Sequence, residues 1–387
     1  MTDATQPKLA ALTSARFFAA FHVLLFHSWA MKGFIWAPAW WQRVASTGYV
    51  AVTFFFVLSG FILVYTYAGR TFDLRQFWKA RIARLYPVYL VSLLFAGPFF
   101  LYAVTQFNIL PFAWMKQHLA ATTVLVLALL QAWVPGAALG WNGLAWAVSV
   151  EIFFYVLFPL LLARFSRLSN RGLAIICVVG WAMALALADA YVLRAPDYFE
   201  ADSEQDGFWL NALKFNPLMR LPEFVMGLAC GCWFRRGDHD PRRATPLVLG
   251  GTATALALTA LSPVIPYPVM HTGLYAPAFA AIICGLALRP RWTSFLESPW
   301  LVLLGESSYC LYLFHALIIG TFLFLGFTRG PIALWLVGGG VTAVLVGVLL
   351  FRYVEEPARK RLRGKPRTTA GAVGAARDEP PGRASPR

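Results

Sequence analysis

Long apolar runs separated by short polar intervals set the rhythm of this chain. Eleven segments stand out, at 9–30, 48–68, 86–105, 118–134, 144–163, 172–193, 215–234, 245–263, 270–288, 308–327 and 331–353. Runs of about 20 apolar residues predict membrane-crossing helices. A helix satisfies its own backbone N–H and C=O groups, as lipid requires. The pattern therefore predicts an all-α, polytopic helical membrane protein. Residues 1–363 form the membrane domain. Residues 364–387, rich in Arg, Pro, Gly and Ala with no apolar pattern, read as a disordered basic cytoplasmic tail. No small-residue cleavage site precedes the later runs, so the first run reads as a span and not a removed signal peptide.

Composition agrees. Of the 387 residues, 59% are hydrophobic and 13% charged, against about 25% charged in ordinary globular domains. The net charge of +15 does not indicate nucleic acid, because the Lys and Arg residues fall in the loops and the tail. That is where membrane topology places them. The five cysteines (Cys177, Cys230, Cys232, Cys284 and Cys310) lack the paired spacing of a zinc site. They read as small core residues, and no metal is expected.

Loop charge orients the spans. Arg164, Arg167 and Arg171, the run Arg235 to Arg243, residues 289–291 and the stretch from Arg352 onward are basic. The interval 194–206 carries Asp197, Glu200, Asp202, Glu204 and Asp206. Basic loops inside and the acidic loop outside satisfy everything from residue 164 onward. The basic run Arg70 to Arg84 lies three segments before Arg164, which would put the two on opposite sides. Either one of 86–105, 118–134 and 144–163 is re-entrant, or one basic loop breaks the rule. The first option leaves about ten full spans with both termini cytoplasmic, in a cell-membrane protein.

Polar residues that lipid discourages mark candidate chemistry. An ionisable group at membrane depth costs roughly 2.5–3.5 kcal/mol on insertion scales, yet Arg16 and His27 both lie within the first run. They are 11 residues apart, about three helical turns, and so share a face. Histidine suits general-base work near neutral pH; the alternative is that His27 ends the span and Arg16 snorkels. His22 is turned well away and reads as packing. Lys79, Arg81 and Arg84 form a basic cluster suited to phosphate or to lipid headgroups. Glu151, two residues after Ser149, would orient the histidine, pair an arginine, or simply neutralise Arg16. Ser308, Tyr312 and His315 are spaced by four and three on one helical face and line the same cavity or bond between helices. Ser59 joins them as a cavity residue.

Several motifs, in order along the chain, resemble the integral-membrane acyltransferase-3 family. They are Leu12-Thr-Ser-Ala-Arg16 with His27, Phe55 to Phe61, Arg81-Ile-Ala-Arg-Leu-Tyr-Pro87, Trp146 to Glu151 with Phe158-Pro159, Arg220-Leu-Pro-Glu-Phe224, Ser308 to His315, and Glu355-Glu-Pro357. The resemblance implies O-acyl transfer from a cytosolic acyl-coenzyme A co-substrate, with no permanently bound cofactor, to a hydroxyl that is often on a sugar. It places the family's essential Arg and His on Arg16 and His27, and its arginine pair on Arg81 and Arg84. Two departures bear on specificity. Lys79-Ala80-Arg81 stands where two adjacent arginines are usual, and Ala145-Trp146-Ala147-Val148 replaces the usual Phe-Trp-Ser-Leu.

The expected reaction has His27 take the proton of the acceptor hydroxyl as its oxygen attacks the thioester. Glu151 assists, Arg16 steadies the oxyanion or fixes His27, and Arg81, Arg84 and Lys79 hold coenzyme A. A covalent acyl-enzyme through Ser59 or Ser149 is an alternative with no adjacent base in sequence. The compact length and the tail, with no further domain expected after the last span, resemble members that acylate macrolide antibiotics. Alternative acceptors are surface polysaccharide or a lipid-linked sugar. A reading from another class is a proton-coupled transporter using Arg16, His27 and Glu151 as a relay, though no inverted repeat is evident.

Overall fold

The computed structural model describes residues 8–31, 37–70, 72–106, 112–194, 207–237, 239–324 and 332–363. The proposed tail and the acidic stretch 195–206 lie outside them. Among the described residues every regular element is helical. In chain order these are α1 (Ala10–Ala30), α2 (Ala39–Ser46), α3 (Ala51–Tyr67), α4 (Leu74–Gln106), α5 (Phe112–Gln117), α6 (Leu119–Leu127), α7 (Trp146–Phe165), α8 (Asn170–Arg194) and α9 (Phe208–Phe215). They continue with α10 (Pro217–Arg235), α11 (Ala244–Ala260), α12 (Tyr267–His271), α13 (Ala276–Ala287), α14 (Pro299–Glu306), α15 (Ser308–Phe324), α16 (Ile332–Leu350) and α17 (Glu356–Arg363).

Seven helices among the described residues are long and apolar enough to cross a membrane, or eight if α14 and α15, bent by 63° at their junction, form one broken span. Segment 118–134 is the one that is not a continuous helix. It includes the nine-residue α6 and a short 3₁₀ turn at Gln131–Trp133, whereas 86–105 lies within the 33-residue α4 and 146–163 within α7. α6 is only about 14 Å long at 1.5 Å per residue, too short for a bilayer core of about 30 Å. The basic run also changes character. α4 begins at Leu74, so Arg75 to Arg84 form its first turns and not a loop.

Burial follows membrane logic. On α8 the buried residues Leu173, Cys177, Ala184, Ala188 and Val192 make one stripe. Val178, Val179, Met183 and Leu187 are exposed on the same helix, an apolar surface of the kind lipid covers. Glycine brings the central helices together. Gly60 of α3 packs on the backbone of Phe224, and Gly227 of α10 on that of Val57, so a Cβ at either would collide with main chain. Gly227 and Gly231 are four apart, the small-residue spacing that allows close helix approach in membranes. Gly305 likewise seats α14 on the backbone of Thr13 in α1. The main core joins α1, α3, α4, α7, α10, α13 and α15, and it encloses two polar cavities.

Candidate active site

The first cavity, of about 160 Å³, is lined by Arg16, Arg81, Arg84, Glu151, Ser59 and Ser308 among others. It is called here the arginine cavity. Arg81 and Arg84 are three residues apart on α4 and face the same way. The Arg81 guanidinium lies 5.6–5.8 Å from the ring centres of Tyr67, Phe77 and Tyr155, within range of cation–π attraction. One of its Nη groups donates to the Tyr67 hydroxyl at 3.3 Å. Glu151 accepts a short hydrogen bond from Tyr155, one helical turn on, and a longer one of 3.4 Å from Ser59. Arg16 and Arg84 lie in the field of both Glu151 and Glu355. Glu355 is buried and accepts from Cys310 at 3.4 Å and Arg359 at 3.5 Å. It sits at the end of a π-turn, Phe351–Glu355, a distortion that often accompanies function.

The second cavity, of about 320 Å³, is lined by His27, His271, Lys214, Asn142 and the rings of Tyr49, Trp146, Phe215 and Tyr267. It is called here the histidine cavity. His27 Nδ1 lies 3.0 Å from the Val23 carbonyl and 3.1 Å from His315 Nε2. His271 stacks on Tyr49, ring centres 5.3 Å apart and planes within 9°. Behind it, the fully buried Arg220 donates to Glu223 at 2.7 Å, to His271 Nδ1 at 2.8 Å, and to the carbonyls of His271 and Lys214 at 2.5 and 2.9 Å. Thr53 also donates to Glu223, at 3.0 Å. Because Arg220 can only donate, His271 Nδ1 is the acceptor, and the ring's proton is on Nε2. Gly273, at φ +77°, leaves room for Glu223 where a Cβ would crowd the carboxylate. Val52 and Tyr312 line both cavities. They form the partition, and the Tyr312 hydroxyl is tied to the Leu144 carbonyl at 3.0 Å.

The expected site residues divide between these places. Arg16 and His27 do share a face of α1, but 11 residues separate them by about 16 Å along the axis. Arg16 lines the first cavity and His27 the second. Glu151, likewise, is bonded to Tyr155 and Ser59 rather than to a histidine. Three residues expected at the cavities lie elsewhere. Lys79 is exposed, because two residues before Arg81 is nearly opposite it on a helix. Ser149 stands in the same relation to Glu151; it is buried and donates to the Leu129 carbonyl at 2.7 Å. His315 lines neither cavity and stands behind His27. Ser59, Ser308 and Tyr312 do line the arginine cavity. His22 bonds to the Val44 carbonyl at 2.6 Å, in keeping with a packing role.

Lys214, His271 and Asn142 carried no sequence signal, since each is an isolated polar residue in or beside an apolar run. Arg220 and Glu223 had one: an i, i+3 ion pair inside a span. Among the described residues no three His, Cys, Asp or Glu side chains are grouped to hold a metal ion.

Among the described residues the helices thus form two adjoining cavities, one lined by Arg16, Arg81 and Arg84 and one by His27 and His271. Residues 9–352 match the family model described as an acyltransferase domain, and the chain belongs to this acyltransferase-3 family. It is 31% identical over 400 residues to acyltransferase MdmB of Streptomyces mycarofaciens, covering 97% of each chain. It is 25% identical over 373 residues to nodulation protein 10 of Rhizobium leguminosarum bv. viciae, covering 89% of this chain and 92% of that one. It is 24% identical over 380 residues to O-acetyltransferase OatA of Staphylococcus aureus, covering 91% of this chain but only 57% of that one. No solved structure matches. The protein is therefore an O-acyltransferase of the membrane, acting between an acyl donor and a hydroxyl-bearing acceptor.

Proposed function

We propose that the donor is an acyl-coenzyme A, acetyl or propionyl, that it enters by the arginine cavity, and that the acceptor hydroxyl meets it in the histidine cavity. The observation that carries this reading is the separation of the two chemistries. Arg16, in the arginine cluster, lies about 16 Å along α1 from His27, and the cavities share only Val52 and Tyr312. A donor that fits has its anionic groups and its reactive thioester at opposite ends of a long arm. Arg16 and Arg84 make no side-chain hydrogen bond to the described residues, which leaves their donors for phosphate or for the arm. Arg81 supports them from its aromatic seat. Lys79, exposed on the other side of α4, contributes long-range attraction at most.

His27 is the general base. Its Nε2 takes the proton from the acceptor hydroxyl as the oxygen attacks the thioester carbonyl. The new C–O bond forms, the C–S bond breaks, and the departing thiolate recovers the proton from His27, giving ester and free coenzyme A. Rings of Trp146, Tyr49, Phe215 and Tyr267 offer apolar faces to a bulky acceptor, with His271 Nε2–H as a hydrogen-bond donor. The acceptor is a hydroxylated, glycosylated natural product such as a macrolide antibiotic. Support comes from the resemblance of the motifs and from a Streptomyces relative alignable over nearly its whole length. The protein resides in the cell membrane with both termini cytoplasmic, the orientation that places its basic loops inside.

The test is acyl transfer by detergent-purified protein. Labelled acetyl- and propionyl-coenzyme A are offered with macrolides, free sugars and polysaccharide fragments, wild type against His27→Ala. Label on a macrolide hydroxyl, lost in the variant, is the expected result. Label only on polysaccharide refutes the acceptor, and transfer that survives in the variant removes His27 as the base.

A further inference from the structure

We infer that His315 is a positioning residue that holds the His27 ring through its Nδ1–H and stabilises His27 when it becomes charged. This rests on the reading of His27 as the base. His315 is fully buried and lines neither cavity, so it cannot touch either substrate and can act only through a neighbour. That neighbour is His27, whose ring centre is 4.9 Å away.

The protons follow from the partners. His315 Nδ1 lies 3.1 Å from the Leu311 carbonyl, one turn back on α15. A carbonyl only accepts, so Nδ1 carries the proton and the neutral ring keeps a lone pair at Nε2. His27 Nδ1 faces the Val23 carbonyl at 3.0 Å by the same i−4 geometry, so it too carries a proton. That N–H also points at His315 Nε2, 3.1 Å away, where it meets the lone pair. Every assignment is consistent, and one nitrogen remains: His27 Nε2, unprotonated, on a ring that lines the cavity. Both carbonyl contacts hold the rings in this arrangement and prevent the opposite tautomer.

The second consequence appears during transfer. When Nε2 takes the acceptor's proton, His27 becomes an imidazolium, and its Nδ1–H turns into a charged donor. His315 Nε2 then accepts a charge-assisted hydrogen bond, roughly twice as strong as a neutral one. In serine hydrolases a carboxylate holds the base this way; here a neutral ring does so. No carboxylate among the described residues is hydrogen-bonded to either ring, and a buried anion beside His27 would be costly to desolvate.

The experiment compares His315→Phe, which keeps a ring but loses the acceptor, with His315→Gln, whose side-chain oxygen falls near the position of Nε2. Each is purified as the full chain at matched elution volume. Two readouts are taken: kcat and KM with acetyl-coenzyme A and a macrolide acceptor, and the rate at which diethyl pyrocarbonate modifies His27, followed by mass spectrometry. In His315→Phe kcat should fall about 10- to 100-fold, the value of one hydrogen bond to a charged group, with KM for acetyl-coenzyme A unchanged and His27 modified more slowly. His315→Gln should recover most of both. The double variant His27→Ala/His315→Phe should be no slower than His27→Ala alone. The inference is overturned if His315→Phe matches wild type, if Phe and Gln are equally impaired, or if the losses add. If His27→Ala stays active, the base reading fails instead, and the modification rates alone then judge the pairing.

Discussion

The arginine cavity and the histidine cavity share helices α1, α3, α7 and α15 and hold charge in opposite ways. Behind the histidine cavity, Arg220 spends its donors on Glu223, on His271 Nδ1 and on two carbonyls. It is a structural cation, neutralised by an ion pair at 2.7 Å with both side chains buried. Its effect is to leave His271 neutral and oriented beneath a set of aromatic rings. In the arginine cavity, Arg16 and Arg84 are half-buried and unbonded to described side chains, with two carboxylates in range. The same residue type thus builds the wall in one place and stays open for a ligand in the other. Guanidinium donors decide which: Arg220 has four of its five matched inside the protein, which leaves little for an anion.

Substitutions can break or sharpen that contrast. The largest effect is expected for His27→Ala, which should lower kcat by about 10²- to 10⁴-fold, the usual worth of general-base help. Binding of acetyl-coenzyme A, followed by titration calorimetry, should stay as it was. Next comes Glu223→Ala, which leaves the Arg220 charge buried without its partner and should cost about 3–5 kcal/mol of stability. Thermal unfolding in detergent would register this, and Glu223→Gln, which keeps an oxygen for Thr53 and Arg220, should lose much less. If the Ala variant unfolds like wild type, Arg220 is not the structural cation described.

Arg84→Ala should weaken acetyl-coenzyme A by about 10- to 100-fold, as for one lost charge-assisted contact, while acceptor KM holds. An equal change in acceptor KM would mean the two cavities are not separate binding sites. Tyr312→Phe keeps the ring of the partition but loses its bond to Leu144, at about 0.5–1.5 kcal/mol; it should lower stability slightly with little change in acyl preference. The smallest effect is expected for Lys79→Ala, within about twofold on donor KM at physiological salt, as for an exposed side chain away from the site.

Much of this was legible from one chain of letters. Apolar runs specified a helical membrane protein because lipid leaves the backbone no other economical partner. The improbable charges at Arg16, His27, Arg81, Arg84 and Glu151 marked the interior for the same reason. Helical periodicity explains why Arg81 and Arg84 face inward together. The same periodicity separates Lys79 from Arg81 and Ser149 from Glu151, since two residues on a helix point nearly opposite ways. Those two were grouped with their neighbours by closeness in sequence, and the helix divided them.

What the sequence determined, then, was the solvent of each segment: which residues face lipid, which face water, and which polar groups needed company inside. Hydrophobicity and period are local properties, and they are written in order along the chain. Partnership between helices was decided only by the tertiary structure. The meeting of His27 with His315 and of Arg220 with His271 depends on how distant helices cross. So does the division of Arg16 from His27 into separate cavities, which depends on where Val52 and Tyr312 close the space between them. Close approach at Gly60 and Gly227 seats α3 on α10, and Gly305 seats α14 on α1, because no side chain stands between the backbones there.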